Sequence, residues 1–155
     1  MRKAGAAKTG EDTLKHGVHN KQWSLSIPSE RDRIHQVLKV TEEWLKKVRF
    51  PAREVHDITS AVIEAVMNAI VYGNEENPRK KVTLSYSLSP DELVITITDH
   101  GKAFRPRLTP LPDCPSLDVH GRGILIMRAL MDEVRFEKLS RGKCVRLVKI
   151  RKKKS

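Results

Sequence analysis

The sequence predicts an α+β fold, a two-layer α/β sandwich with three helices on one face of a mainly antiparallel sheet. Three observations carry this expectation. Apolar residues recur at helical spacing twice in succession, first from Ile34 to Val48 and then from Val55 to Ala69. Strict alternation follows from Val82 to Leu88, and Leu93 to Asp99 reads as the returning strand of a hairpin about the turn Ser89-Pro90-Asp91. The full order reads β, α, α, β, β, irregular segment, α, β, β.

The first strand spans Trp23 to Ile27 and stops at Pro28. Ser29 is the expected N-cap of the first helix, with Asp32 three residues on as a variant capping box. Ile34, Val37, Leu38, Thr41, Trp44, Leu45 and Val48 trace its buried stripe, and Pro51 breaks it. A central helix follows from about Arg53 to Tyr72, with Gly73-Asn74 as its C-terminal stop. Asn77-Pro78 and the basic run Arg79-Lys80-Lys81 turn the chain into the hairpin. Between Gly101 and Arg122 lie four prolines, two glycines and no sustained period. Irregular segments of that length are usually functional lids or disorder. A third helix resumes at Gly123 and runs to Met131; Val134-Arg135-Phe136 and Cys144 to Ile150 are the last strands, about Ser140-Arg141-Gly142.

Composition narrows the function classes. With 155 residues, 39% apolar and 32% charged, the chain suits one globular domain. No apolar run approaches the ~20 residues that span a bilayer, and the N-terminus lacks the apolar core of a secretory signal. Cys114 and Cys144 match no metal-ligand spacing. These features read as cytoplasmic, with no membrane partner. The net charge of +11 is concentrated at the ends. Residues 1–21 contribute +3 and residues 151–155 contribute +4, leaving +4 for residues 22–150. The expected organisation is a flexible basic tail over 1–21, one domain over 22–150 and a basic tail over 151–155. Without a zinc-finger or aromatic-basic signature, direct nucleic-acid binding is not expected.

Three polar clusters lie on elements expected to converge. Glu64 and Asn68 are four residues apart on the central helix, so a carboxylate and an amide emerge side by side. They are either a polar pair on the wet edge of an amphipathic helix or a pair held for a ligand or metal. Asp99-His100-Gly101-Lys102-Ala103-Phe104 ends a buried strand in a carboxylate and a glycine. That carboxylate either forms an ordinary Asx turn or accepts a hydrogen bond from an exocyclic amine, with Gly101 letting a flat ring approach. His120-Gly121-Arg122-Gly123-Ile124 places two glycines at a helix start, where free amides attract phosphate; it is not a P-loop.

In this order and spacing the clusters resemble the GHKL ATP-binding superfamily. More narrowly they are similar to the small anti-sigma factor serine kinases of the RsbW and SpoIIAB type, from about Trp23 to Ile150. Glu64 to Ala69 matches the N box, Asp99 to Phe104 the DxGxxF box, and Gly121-Arg122-Gly123-Ile124 the last glycine box. Tyr72 stands where relatives often carry His, and Lys143 follows Gly142 where a Gly-Thr pair is usual.

The resemblance implies an ATP-binding sandwich fold and ATP and Mg²⁺ as cofactors. Asn68 would help to hold the metal, and Glu64 would handle the proton in phosphoryl transfer. Asp99 would recognise adenine; Gly101, Gly121 and Gly123 would shape the nucleotide lid, with Phe104, Arg122 and Ile124 in the same boxes. Arg105 and Arg107 either meet the γ-phosphate or are solvated. The implied activity is that of a protein serine/threonine kinase and anti-sigma factor. Its partners would be an RNA-polymerase sigma factor and a STAS-domain anti-anti-sigma protein, and the chain would form a homodimer. The alternative is a nucleotide-gated protein-binding switch without significant kinase activity.

Overall fold

The computed structural model describes residues 13–15, 18–101 and 119–152. Its strands are β1 (Thr13–Lys15), β2 (Val18–Pro28), β3 (Lys81–Leu88), β4 (Glu92–Thr98), β5 (Glu133–Lys138) and β6 (Lys143–Ile150). Its α-helices are α1 (Ile34–Lys47), α2 (Ala52–Asn68) and α3 (Val119–Leu130). The strands form one sheet in the order β1-β2-β3-β4-β6-β5, and every neighbouring pair is antiparallel. The helices cover one face, giving the two-layer sandwich that the periodicities predict.

Register sorts the two faces. Leu25 pairs with Leu84, which pairs with Ile97, and Ile97 with Val145, so one row of apolar side chains crosses four strands. Val37, Leu45, Ile58, Val62, Ala65 and Met127 meet that face from the helices, all fully buried. On the opposite face the same pairing lines up Ser24, Ser85 and Thr96. Alternation in the sequence is therefore a direct record of this one-sided burial.

An aromatic cluster closes the layer between β2, β3 and α1. Trp23 stacks on Tyr86 at 4.1 Å between ring centroids, and Trp44 meets Tyr86 edge-on at 5.6 Å. The Tyr86 hydroxyl lies 2.6 Å from the Thr41 hydroxyl, inside the core. The polar residue in the α1 stripe is thus the partner that allows a tyrosine to be buried.

Several boundaries differ from the sequence expectation. β2 starts at Val18 rather than Trp23 and pairs with β1, so a domain boundary at residue 22 falls inside a strand. Ser29 is no N-cap: a 3₁₀ turn over Arg31–Arg33 precedes α1, and the Ser29 hydroxyl donates to the Lys80 carbonyl at 2.6 Å. α3 starts at Val119, four residues before Gly123, so the helix takes in part of the proline- and glycine-rich stretch. The α2 stop is also unlike the expected glycine cap. After Asn68 the helix widens into a π turn over Ala69–Gly73, with the Asn74 amide donating to the Ala69 carbonyl at 2.8 Å. Left-handed backbone comes only afterwards, at Glu75 and Glu76.

The Thr41–Tyr86 pair sets two expectations. Thr41→Val leaves a buried hydroxyl without a partner and should lower stability by about 1–3 kcal/mol in urea titration. Burial also raises the Tyr86 phenol above its ordinary value of 10, because the phenolate is desolvated. The resulting stability is complete below about pH 10 and is lost as pH rises further, since the unfolded chain gives up the proton first. Above about pH 10 the wild type should therefore lose stability faster than Tyr86→Phe.

Candidate functional site

α2 carries the first part of the site. Val55, Ile58, Ala61, Val62, Ala65 and Val66 are buried, which fixes the rotation of the helix about its axis. That rotation leaves Glu64 and Asn68 half-buried at the edge of the apolar stripe, facing α3. Gly123 of α3 is buried there. A Cβ on it would stand 3.1 Å from Glu64 Oε2 and 3.3 Å from Asn68 Nδ2. The N-terminal part of α3 is thus in contact with the carboxylate–amide pair. Arg122 is exposed beside it, and Ile124 packs against the core.

The second part is built around Asp99, at the end of β4 and only 2% exposed. Its Oδ1 accepts hydrogen bonds from the Gly101 amide at 3.1 Å and the Lys143 amide at 3.2 Å. Its own amide donates to the Lys143 carbonyl at 3.0 Å. Oδ2 is buried and has no hydrogen-bond partner among the described residues. The Asx turn anticipated from the sequence therefore accounts for one carboxylate oxygen and leaves the other for something else.

Close packing around this carboxylate demands glycine. A Cβ on Gly73 would run into the Asp99 carboxylate, and one on Gly142 would run into the Asp99 backbone. Gly142 also has a φ of 82°, in the left-handed region. A Cβ on Gly101 would collide with the Gly73 carbonyl. The missing side chain of Gly101 thus makes room for the turn after α2.

Asn74 ties these turns together. It is completely buried, and its Oδ1 accepts the His100 amide at 2.8 Å. Its Nδ2 donates to Ser29 Oγ at 2.8 Å and to the Lys81 carbonyl at 3.1 Å. Neither Asn74 nor Gly73 stands out in the sequence beyond the end of a helical period. The signal was a Gly-Asn pair that reads equally well as a stop.

The structure thus brings Gly123 to Glu64 and Asn68, and Gly101 to Asp99. The first pair of contacts and the second are joined by α2 and its π turn. Glu64 and Gly73 are nine residues apart, about 13 Å along a helical rise. Phe104, Arg105 and Arg107 lie outside the described residues, as does Cys114; Gly121 lies within α3. At Lys143 the contact to Asp99 is made by the backbone. Burial lowers the pKa of its ammonium, with Asp99 opposing that shift, and Nζ sits 6.0 Å from the Phe136 ring centre. Burial raises the Cys144 thiol pKa above its ordinary value. Among the described residues no cluster of His, Cys, Asp or Glu forms a metal cage, and no helix is long and apolar enough to cross a membrane.

A two-layer antiparallel sandwich with these clusters on its helical side defines the class of protein. The profile of the histidine kinase-like ATPase domain matches residues 27–149, and the chain belongs to that family. It is 36% identical over 104 residues to the anti-sigma F factor of Anoxybacillus flavithermus, covering 62% of this chain and 69% of the relative. The anti-sigma F factor of Bacillus subtilis matches with the same identity and coverage. That of Clostridium perfringens SM101 is 36% identical over 88 residues, 52% of this chain and 61% of the relative.

Among solved structures, the RsbU and RsbW domains of Rv1364c from Mycobacterium tuberculosis superpose with a TM-score of 0.63 at 17% identity. The match covers 83% of this chain and 32% of that one. The histidine kinase domain of the Erythrobacter litoralis EL346 blue-light activated histidine kinase gives a TM-score of 0.52 at 16% identity, covering 94% and 65%. At these identities the likeness is one of fold.

The glycine contacts predict a graded response. Gly101→Ala meets backbone that cannot rotate away, so it should cost about 1–3 kcal/mol or more in stability, the range for overpacking. Gly123→Ala meets the movable end of Glu64 and should cost less. Thermal unfolding of the two variants side by side checks the order.

Proposed function

We propose that this chain binds Mg·ATP and is an anti-sigma factor that phosphorylates a serine of a STAS-type anti-anti-sigma protein. The observation that carries the nucleotide reading is the Asp99 carboxylate, with Oδ2 buried and without a partner among the described residues. A buried charged oxygen left unpaired is costly. An exocyclic amine is a neutral donor that relieves this cost, and a purine bearing one fits the acceptor. Membership of an ATPase-type family and the names of the relatives, anti-sigma F factors, support the remainder.

The donor set fits the groups implied. Asn68 offers an amide oxygen, a hard ligand of the kind Mg²⁺ accepts beside phosphate oxygens and water. Bound there, the metal supplies charge neutralisation for phosphoryl transfer. Glu64, one turn earlier on α2, takes the proton of the incoming serine hydroxyl directly or through water. Gly123 keeps the approach to both side chains open. Arg105 and Arg107 remain candidates for the terminal phosphate. The sigma factor is the partner suggested by the relatives, and the STAS protein by the family resemblance.

Two variants separate the parts of this reading. Asp99→Asn should weaken ATP binding by about 1.5–3 kcal/mol, the range for a hydrogen bond to a charged group, with unchanged calorimetry counting against adenine recognition. Glu64→Gln should still bind Mg·ATP and the sigma factor but transfer phosphate about 10²–10⁴-fold more slowly in single turnover. Asn68→Ala should lower Mg·ATP affinity and transfer together. A wild type that binds ATP yet phosphorylates no STAS partner would leave a nucleotide-gated switch.

A further inference from the structure

The geometry points to Asn74 as a positioning residue for base recognition, acting through the Asp99 turn; this rests on the adenine reading above. Three observations carry it. Asn74 is completely buried, and both ends of its amide are used. Oδ1 holds the amide of His100, the residue after Asp99, at 2.8 Å. Nδ2 anchors to two other segments, Ser29 at the end of β2 and the Lys81 carbonyl at the start of β3. Ser29 is itself fixed by its donation to the Lys80 carbonyl at 2.6 Å.

The arrangement is a clamp. Gly73, the preceding residue, packs on the Asp99 carboxylate too closely to admit a Cβ. The turn 73–74 therefore touches Asp99 from the side and grips the backbone just after it. Oδ1 of Asp99 is held by Gly101 and Lys143, so the orientation of Oδ2 follows from where this backbone sits. A base amine must meet Oδ2 at hydrogen-bond distance with good alignment, and such bonds weaken steeply off-axis. Releasing His100 lets the Asp99–Gly101 turn shift, and the loss should fall on the amine contact first.

The test compares ATP with purine riboside 5′-triphosphate, which has hydrogen in place of the 6-amino group, both with Mg²⁺ and by calorimetry on the full chain. The wild type should favour ATP, and Asp99→Asn should remove about tenfold or more of that preference. Asn74→Ala should remove at least threefold of it on the order expected for a loosened bond, while the analogue binds as before. Ser29→Ala, which frees the far side of the clamp, should act in the same direction and serves if Asn74→Ala does not fold. Thr41→Val is the control, because it destabilises the core away from the turn and should leave the ratio unchanged.

An Asn74→Ala or, if that variant does not fold, a Ser29→Ala protein with the wild-type ratio overturns the positioning role. So does a Thr41→Val ratio that falls equally. If Asp99→Asn leaves the ratio unchanged, adenine recognition by Asp99 fails, and the clamp's proposed purpose fails with it.

Discussion

Asp99 introduces a charge where the sheet, the end of α2 and the β5–β6 turn meet, and each of those elements is shaped to surround it. Burying a carboxylate costs several kcal/mol unless hydrogen bonds replace its water. Two backbone amides, from Gly101 and Lys143, do so for one oxygen. Side chains are excluded from three neighbouring positions, Gly73, Gly101 and Gly142, so that main chain can come close. Main-chain donors cannot swing aside, which makes the remaining oxygen a fixed acceptor rather than a mobile one. Such preorganisation is what recognition of a small polar group requires.

α2 links this acceptor to the rest of the site. Its apolar face anchors it in the core, and the same rotation sets Glu64 and Asn68 at the edge facing Gly123. Had α2 continued as a regular α-helix, Gly73 and Asn74 would leave at a different angle. The π turn widens the last coil by one residue and delivers Gly73 to the carboxylate and Asn74 to His100. π bulges of this kind are often found at functional sites. Here the bulge lies between Asn68 and the turn that packs on Asp99.

The sandwich was legible because period and burial are the same fact seen twice. Val82 to Leu88 alternates because the sheet has one dry face, and Ile34 to Val48 repeats at helical spacing because α1 lies on it. Boundaries were less legible where local and tertiary preferences conflict. Ser29 has every local qualification for an N-cap, yet its hydroxyl is better used across 51 residues of sequence at Lys80. β1 and the start of β2 lie in a polar stretch whose pairing leaves no one-sided apolar pattern. Glu64, Asn68 and Asp99 were visible as polar residues at the ends or edges of apolar elements. Asn74 was not visible as part of the site, since its role depends on a contact with His100 that no window of sequence contains.

The distinction between side-chain and main-chain contacts also explains which departures from the family pattern matter. Lys143 replaces a hydroxyl residue; its backbone amide donates to Asp99, which any residue except proline can do, while its ammonium also interacts electrostatically with that carboxylate. Tyr72 is 44% exposed. At position 143 the hydrogen bond to Asp99 itself does not depend on the side chain. Glu64, Asn68 and Asp99 have no such latitude, because in the proposed chemistry each acts through its own side-chain oxygens. Mutational tolerance at this site should therefore follow the atom that makes the contact rather than distance from Asp99.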